Sequence, residues 1–323
     1  MKTCIAAKRG GIVVLALFLF CSVAARPAGA SEIWLKVIPK NSPPAVAAMA
    51  MAYDPISKKV LSFGGFDANG YRNDTWLFDG ATWTQVTTPT APPVRAAAGI
   101  TLDRLSGNLI LFGGFNGTNY LGDTWVWSGK TQTWTQANPN HAPTAVTLPM
   151  MFCDPIDGRA EMVGGFDGNF YQDITWKWTG ADWRQLNPST VMWARGAAVV
   201  ANDYANKKVV IFGGLGDLNP NNTWTWDGTN WTMENPATQP PLTFYTAASW
   251  DPILNEVIAF GGGMGQTTWA WTGSDWVTVP TERAPSLRWS LGMAYDLDKQ
   301  QLLMFGGQNN ATLLDGTYKL VKR

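Results

Sequence analysis

Histidine, cysteine and charge are scarce in this sequence, and each shortage excludes a class of protein. The 323 residues contain a single histidine, His141, which excludes a metal centre built from several histidines. Only 15% of the residues are charged, and the basic and acidic residues number 24 each, so no basic excess attracts nucleic acid. We therefore expect neither a nucleic-acid partner nor a cofactor.

Residues 1–30 have the pattern of a secretory signal peptide. Three basic residues among the first nine precede an apolar run from Ile12 to Val23, and Ala28-Gly29-Ala30 supplies the small residues that signal peptidase requires. The run is short for a membrane-spanning helix, which is the alternative. We predict cleavage after Ala30 and a mature protein, residues 31–323, that is secreted or periplasmic and has no membrane span.

Cleavage changes the charge and the cysteine content. The segment holds four of the 24 basic residues and no acidic residue, so its loss leaves a net charge of −4. Cys4 and Cys21 leave with it, and Cys153 then has no partner for an internal disulfide. We expect the mature chain to be a monomer.

One unit recurs six times along the mature chain. Gly-Gly pairs follow short apolar runs at intervals of 45 to 51 residues. Each pair begins ten residues after an aspartate, and each aspartate lies twenty residues after a tryptophan. The six tryptophans that open this frame are Trp34, Trp83, Trp134, Trp183, Trp231 and Trp276. Such a period is typical of solenoids and propellers.

Each unit is predicted to form four short antiparallel strands. Apolar runs such as Val60–Phe63 are bounded by turn residues, and the frame aspartate can close a tight turn with its own side chain. Asp79-Gly80 and Asp227-Gly228 are hairpin signals. Six such sheets cover one another when they stack radially, which predicts an all-β, six-bladed β-propeller with the tryptophans packed between blades.

The last unit lacks its tryptophan-bearing strand. Its strands are predicted near residues 289–295, 300–305 and 316–321, where the sequence stops. Trp34 lies in the register of the missing strand. We therefore predict that residues 32–38 pair with Thr317–Leu320 and that the N-terminal strand closes the last blade.

The repeated sequence pattern resembles the kelch motif, in which an apolar run ends in Gly-Gly and is followed by an aromatic residue and then a tryptophan. Val60–Gly65 and Trp127–Trp134 show it best, and Thr223–Gly228 looks like the secreted bacterial kelch-repeat proteins of the galactose-oxidase-like superfamily. The resemblance covers essentially the whole mature chain. It implies the propeller fold, but propellers include both binding modules and enzymes.

Enzymes of this superfamily differ from the chain in their site residues. Galactose-oxidase-like proteins hold copper with two histidines and two tyrosines, which a chain with one histidine cannot supply. Plant specifier proteins hold iron with histidine and acidic residues, and the sequence has no matching group. Sialic-acid mutarotases are secreted six-bladed kelch proteins of similar size that work with arginine and acidic groups in the central funnel, without an implied metal.

Strand direction decides which loops share a face. The loops between the second and third strands and the connections between blades open on one side, which we call the upper face. The longest and most varied loops lie there, so binding residues are expected there.

Three arginines recur at one position, eight residues before the turn aspartate, in alternate units: Arg95, Arg195 and Arg288. They could form a cationic ring around the pore mouth for a carboxylate, a sulfate or an anionic sugar. In the alternative interpretation they tie neighbouring blades together.

Aromatic residues are further candidates on the upper face. Tyr71, Tyr120 and Tyr171 lie at like positions in the loops of the first three units, and an aspartate or asparagine precedes each. Such groups suit sugar or peptide recognition. The alternative is that the tyrosines pack across the loop bases. Trp193, in a connection between blades, could also line the rim.

Glu161 replaces an apolar residue in the second strand of the third unit. A carboxylate among apolar neighbours needs a partner or a raised pKa, so Glu161 is the candidate for a catalytic acid. A structural pair or a wet channel is the alternative.

These features predict a non-catalytic module that binds a protein or a glycan through the upper face. The first alternative is an enzyme on a small sugar acid, similar to sialic-acid mutarotase, that uses arginine and acidic residues at the pore mouth. The second is a structural role in the cell envelope through protein contacts.

Overall fold

The computed structural model describes residues 32–216, 218, 220–310 and 312–322, and β-strands dominate them. The predicted signal peptide lies outside this part of the chain. A short 3₁₀ helix, Gly262–Met264, is the helical element of the described residues, and none of these residues belongs to a helix that could cross a membrane.

Consecutive antiparallel strands, called a to d in chain order, form each of six blades. Blade 1 contains Ala50–Asp54, Lys59–Phe63, Thr75–Phe78 and Trp83–Val86. Blade 2 contains Gly99–Asp103, Asn108–Phe112, Thr124–Ser128 and Thr133–Ala137. Blade 3 contains Met150–Cys153, Ala160–Val163, Thr175–Trp178 and Trp183–Gln185. A small ribbon of Phe66–Asp67 and Gly70–Tyr71 lies in the loop of blade 1.

The remaining blades follow the same plan, except for the last. Blade 4 contains Val199–Asp203, Lys208–Phe212, Thr223–Trp226 and Trp231–Glu234. Blade 5 contains Ala247–Asp251, Glu256–Phe260, Thr268–Trp271 and Trp276–Val279. Blade 6 contains Gly292–Asp296, Gln301–Phe305, Thr317–Lys322 and the N-terminal strand Glu32–Val37, beside which Thr281–Glu282 runs parallel. The predicted all-β, six-bladed propeller is confirmed.

The N-terminal strand closes blade 6, as predicted. Glu32–Val37 pairs antiparallel with Thr317–Lys322, and Trp34 lies opposite Leu320. The first and last strands of the described chain therefore share one sheet, which makes the ring of blades continuous.

An outer ring of hydrogen bonds joins every blade to the preceding one. Each frame tryptophan donates its indole N–H to a threonine hydroxyl at the start of strand c, at 2.8–3.0 Å. The pairs are Trp34–Thr268, Trp83–Thr317, Trp134–Thr75, Trp183–Thr124, Trp231–Thr175 and Trp276–Thr223. All twelve side chains are buried. The tryptophans thus fill the space between blades, and the threonine satisfies the polar atom that each buries.

An inner ring of backbone hydrogen bonds surrounds the upper end of the propeller axis. Six equivalent residues just before strand a have left-handed backbone conformations, with φ between 53° and 59°. The N–H of each donates to the carbonyl of its equivalent in the preceding blade, at 2.8–3.4 Å. We call this ring the collar: Ala48, Ala97, Leu148, Ala197, Tyr245 and Ser290.

The Gly-Gly pairs allow the backbones of neighbouring blades to approach closely. Gly64 has a φ of 66°, and a Cβ there would lie 2.6 Å from the Arg95 carbonyl oxygen. The N–H of Gly65 donates to that carbonyl at 2.8 Å. A side chain at Gly64 would therefore separate blades 1 and 2.

Removal of residues 31–39 should prevent stable folding. The truncation deletes the strand that closes blade 6, exposes the edge of Thr317–Lys322 and leaves Thr268 without its tryptophan. We expect loss of the cooperative urea transition monitored by tryptophan fluorescence. A matched control is Ile38→Ala, because Ile38 is 89% exposed, and it should unfold like the parent. Normal cooperative unfolding of the truncated chain would contradict closure by this strand.

Candidate functional site

The two kinds of loop that were assigned to the upper face lie together there. The connection that leads into strand a pairs with the loop between strands b and c in the same blade: Ala47 bridges to Phe66, and Ala96 bridges to Phe115. Thr147 pairs with Phe166 in the same way. The upper face is therefore built from rigid, hydrogen-bonded loops.

Six aromatic side chains form a continuous row across the upper face of blades 1–3. Each tyrosine packs on a phenylalanine of its own loop, and Tyr71 and Tyr120 also pack edge-on against the phenylalanine of the next blade, at 5.8 and 5.9 Å between ring centroids. All six rings are partly exposed. We call this row the aromatic arc: Phe66, Tyr71, Phe115, Tyr120, Phe166 and Tyr171.

The loops beneath the arc are held by their own polar side chains. Asp67 and Asp167 each accept the backbone N–H of the asparagine two residues on, at 2.7 Å. Hydrogen bonds from the Phe170 and Asn169 N–H groups lower the pKa of Asp167. The Tyr120 ring lies against Gly168 of the next loop, where a Cβ would come within 2.6 Å of a ring carbon.

The tyrosines therefore pack across the loop bases and also present ring surface to solvent. The arc ends at blade 3, because Leu215 and Gln308 occupy the position of its phenylalanines in blades 4 and 6. In blade 5 the short 3₁₀ helix takes the place of the loop.

The arginines are placed differently from the predicted cationic ring. Arg95, Arg195 and Arg288 are 0–1% exposed. Arg95 forms a two-pronged ion pair with Asp123, at 2.7 and 2.8 Å, and also donates to the Gly113 carbonyl. Burial acts to raise the pKa of Asp123, but the Arg95 guanidinium outweighs it and holds that pKa below its usual range.

The other two arginines are bound to backbone carbonyls and neutral groups. Arg195 donates to the carbonyls of Trp193 and Gly213 and to the Asn222 amide oxygen, and burial lowers its pKa to about 10. Arg288 donates to the Gly306 carbonyl and stacks 4.8 Å from the centre of the Tyr318 ring. The prediction of a cationic ring that faces a ligand is therefore wrong. Each arginine side chain fastens strand ends within its own blade, out of reach of a ligand.

Trp193 is exposed on the upper face of blade 4, outside the aromatic arc. Its ring is 43% exposed and packs edge-on against Trp224, at 6.3 Å between centroids. Its carbonyl accepts a hydrogen bond from Arg195. Trp193 therefore contacts Arg195 only through its backbone, and its indole remains open to a partner.

Glu161 lies inside blade 3 in a buried ionic cluster. It is paired across the sheet with Lys177, whose Nζ lies 2.9 Å from Glu161 Oε1 and 2.9 Å from Asp157. Lys177 also donates to Asp154. Burial, together with the nearby Asp154 carboxylate, raises the pKa of Glu161 to about 9. The raised pKa favours the protonated, neutral form of Glu161.

The position of Glu161 counts against a catalytic role. Its side chain is fully buried and lines neither the central channel nor the smaller cavity beside Val146. Lys177 was missed: Leu77, Val126 and Ala270 occupy its position in blades 1, 2 and 5, but Thr225 and Lys319 occupy it in blades 4 and 6. A lysine directly opposite the unusual Glu161 in the paired strand was the signal for an interaction between the two side chains.

The central channel has no charged lining residue among those described. Strand a of every blade contributes to its wall, and the channel has a volume of about 380 Å³. The predicted pore-mouth site for a sugar acid, with arginine and acidic groups, is therefore not found in the described residues. Sequence reasoning did not single out this channel, although the small residues of strand a, such as Ala98-Gly99 and Ala247-Ala248, were a signal.

Glu161→Gln should change how stability depends on pH. Between pH 4.5 and about 9, folded wild-type protein keeps a proton on Glu161 that the unfolded chain gives up, so its stability falls as pH rises through this window. Glutamine does not titrate, so the stability of the variant relative to wild type should increase with pH. The slope of this increase should approach about 1.4 kcal/mol per pH unit.

Urea unfolding at pH 5, 7 and 9 measures this difference, and a constant difference would contradict a protonated Glu161. Lys177→Met is the companion variant. It leaves the buried Asp154 carboxylate without its cation, so we expect a loss of about 3–5 kcal/mol at neutral pH.

Comparisons with known proteins agree with this architecture. The family model described as the KLHDC2/KLHL20/DRC7 Kelch-repeats domain matches residues 29–194, just over half of the chain. The solved structure of YjhT is similar with a TM-score of 0.67, over 88% of this chain and 99% of that one, at 17% sequence identity, which shows the fold alone. No curated protein matches the sequence significantly. The chain belongs to the kelch-repeat family.

Proposed function

We propose that this protein is a secreted or periplasmic kelch propeller that binds a protein or a glycan, without catalysis, through the aromatic arc. The arc is the observation that carries the proposal. Its six partly exposed rings form one row on rigid loops of the upper face. A ligand that stacks on them would bury aromatic surface at little cost in side-chain entropy.

The polar groups beside the arc support recognition of a hydrogen-bonding ligand. Arg72 lies 2.5 Å from Asp74 and 3.4 Å from Asp67, and its side chain is 31% exposed. Phe170, at the tip of the blade 3 loop, is 68% exposed and extends the apolar surface. Charged and amide groups next to flat aromatic rings are the combination that recognises sugars or peptides.

The enzymatic alternative has less support from the geometry. An enzyme on a sugar acid needs a charged group for the substrate carboxylate and an acid or base within reach of it. The three arginines and Glu161 are buried away from the channel, and the described channel wall is uncharged. A binding role needs neither group.

Tyr120→Ala should weaken ligand binding without unfolding the protein. Tyr120 is central in the arc, and the loss of a central aromatic contact typically costs at least 2 kcal/mol, which corresponds to about thirtyfold in affinity. The mature chain is first screened on an array of glycans and cell-envelope fragments. The variant's affinity for the hits is then measured by titration.

Two control variants distinguish a loss of binding at the arc from a general effect on the fold. Tyr120→Phe keeps the ring and should retain most of the affinity, and Leu215→Ala changes the corresponding loop of blade 4, outside the arc. Equal affinities of Tyr120→Ala and Leu215→Ala for every hit would refute the arc as the binding surface.

Export is the second part of the proposal, and it rests on the sequence of residues 1–30. When the full chain is expressed in a bacterium, we expect the exported protein to begin at Ser31 in mass spectrometry. Ala30→Asp should block cleavage, because signal peptidase requires a small residue there. A protein that keeps residues 1–30 and stays in the cytoplasm would refute export.

A further inference from the structure

The central channel has the size of a small-molecule site. Its wall runs from the collar, at Ala48 and Ser290, to the opposite end of strand a, at Tyr53 and Leu297. Its volume of about 380 Å³ falls within the range of cavities that hold small ligands. It is too small for a folded protein segment with side chains.

The residues of the channel wall disfavour charged ligands. The described lining contains no aspartate, glutamate, lysine, arginine or histidine. A charged molecule would lose its hydration there without gaining a counter-charge. Half of the lining residues are alanine, glycine or methionine, and methionine adapts its shape to apolar ligands. The methionines are Met49, Met51, Met150, Met151 and Met293.

The turns between strands a and b, at the end of the blades opposite the collar, carry exposed apolar side chains. Each blade contributes one from the turn between strands a and b, and these side chains are 39–65% exposed. We call them the lower ring: Ile56, Leu105, Ile156, Tyr204, Ile253 and Leu297. Tyr204 and Leu297 also line the channel, so the apolar surface continues from the ring into the wall.

The two mouths differ in what limits access. The upper mouth is bounded by the collar, whose six backbone hydrogen bonds would have to break before it could widen. The lower mouth is bounded by side chains, which can change rotamer without breaking the ring of blades. A ligand therefore reaches the channel most easily through the lower mouth, beside Tyr204 and Leu297.

We propose that the channel is a second binding site, distinct from the aromatic arc, and that it takes an uncharged molecule with an aliphatic chain. The chain would pass Tyr204 and Leu297 at the lower mouth and pack against the methionines. The Ser249 hydroxyl could meet a single neutral polar group. This site does not depend on the proposed function of the upper face.

Displacement of the fluorescent dye N-phenylnaphthylamine tests the proposal. We expect the mature protein to bind the dye and dodecanol to displace it. Dodecanoate, which differs by its charged carboxylate, should bind at least about tenfold more weakly than dodecanol. Equal competition by dodecanol and dodecanoate, or no competition by dodecanol, would overturn the proposal.

Substitutions in the wall locate the site. Ser249→Asp places a charge on the half-exposed wall of blade 5, and Ser274→Asp places the same charge on an exposed turn of that blade. The first should weaken dodecanol binding about tenfold or more, and the second should leave it unchanged. Ala248→Phe fills the channel without adding charge, and Ala81→Phe, on an exposed turn, is its control.

The variants also separate this site from the arc. Tyr120→Ala should leave dodecanol affinity unchanged, so failure of one site does not imply failure of the other. Each wall variant is first shown to unfold cooperatively in urea. If both folded wall variants bind dodecanol as well as wild type does, the ligand lies elsewhere and the proposal is refuted.

Discussion

A hydrogen bond from a buried tryptophan to a threonine of the preceding blade is the contact on which this propeller depends. A blade cannot bury both of its faces alone, and the large indole that fills the gap brings a polar N–H that needs an acceptor. The threonine at the start of strand c supplies it in all six blades. Since Trp34 comes from the N-terminal strand, the ring closes only when the two ends of the described chain meet.

The same scaffold accounts for groups that look functional in the sequence. Arg95 holds strand ends through Asp123, and Glu161 is neutralised within a buried cluster beside Lys177. The surfaces that remain open to a partner are mainly aromatic or uncharged. The aromatic arc covers three blades of the upper face, and the uncharged channel lies along the axis. Arg95 and Glu161 thus serve the fold, and the surfaces that we propose for ligands are aromatic or uncharged.

The repeat frame predicts much of this structure and little of the site. Spacing gives the strands, the number of blades and the pairing of Trp34 with the last sheet, because each depends on position along the chain. It does not give the direction of a long side chain, and Arg195 therefore looked like a rim residue although its guanidinium is buried against carbonyls. For Glu161, the sequence indicated the need for a partner, and the structure identified Lys177 across the strand pair.

The sequence by itself determined the six-bladed architecture, its closure and the face that carries the long loops, since all of these follow from a period in residue type. Only the tertiary structure decided which side chains meet and which stay accessible. The arc combines loops from three units, and the channel combines strand a from all six. These segments are distant along the chain and converge only when the ring closes, so their joint chemistry has no signature in any single repeat.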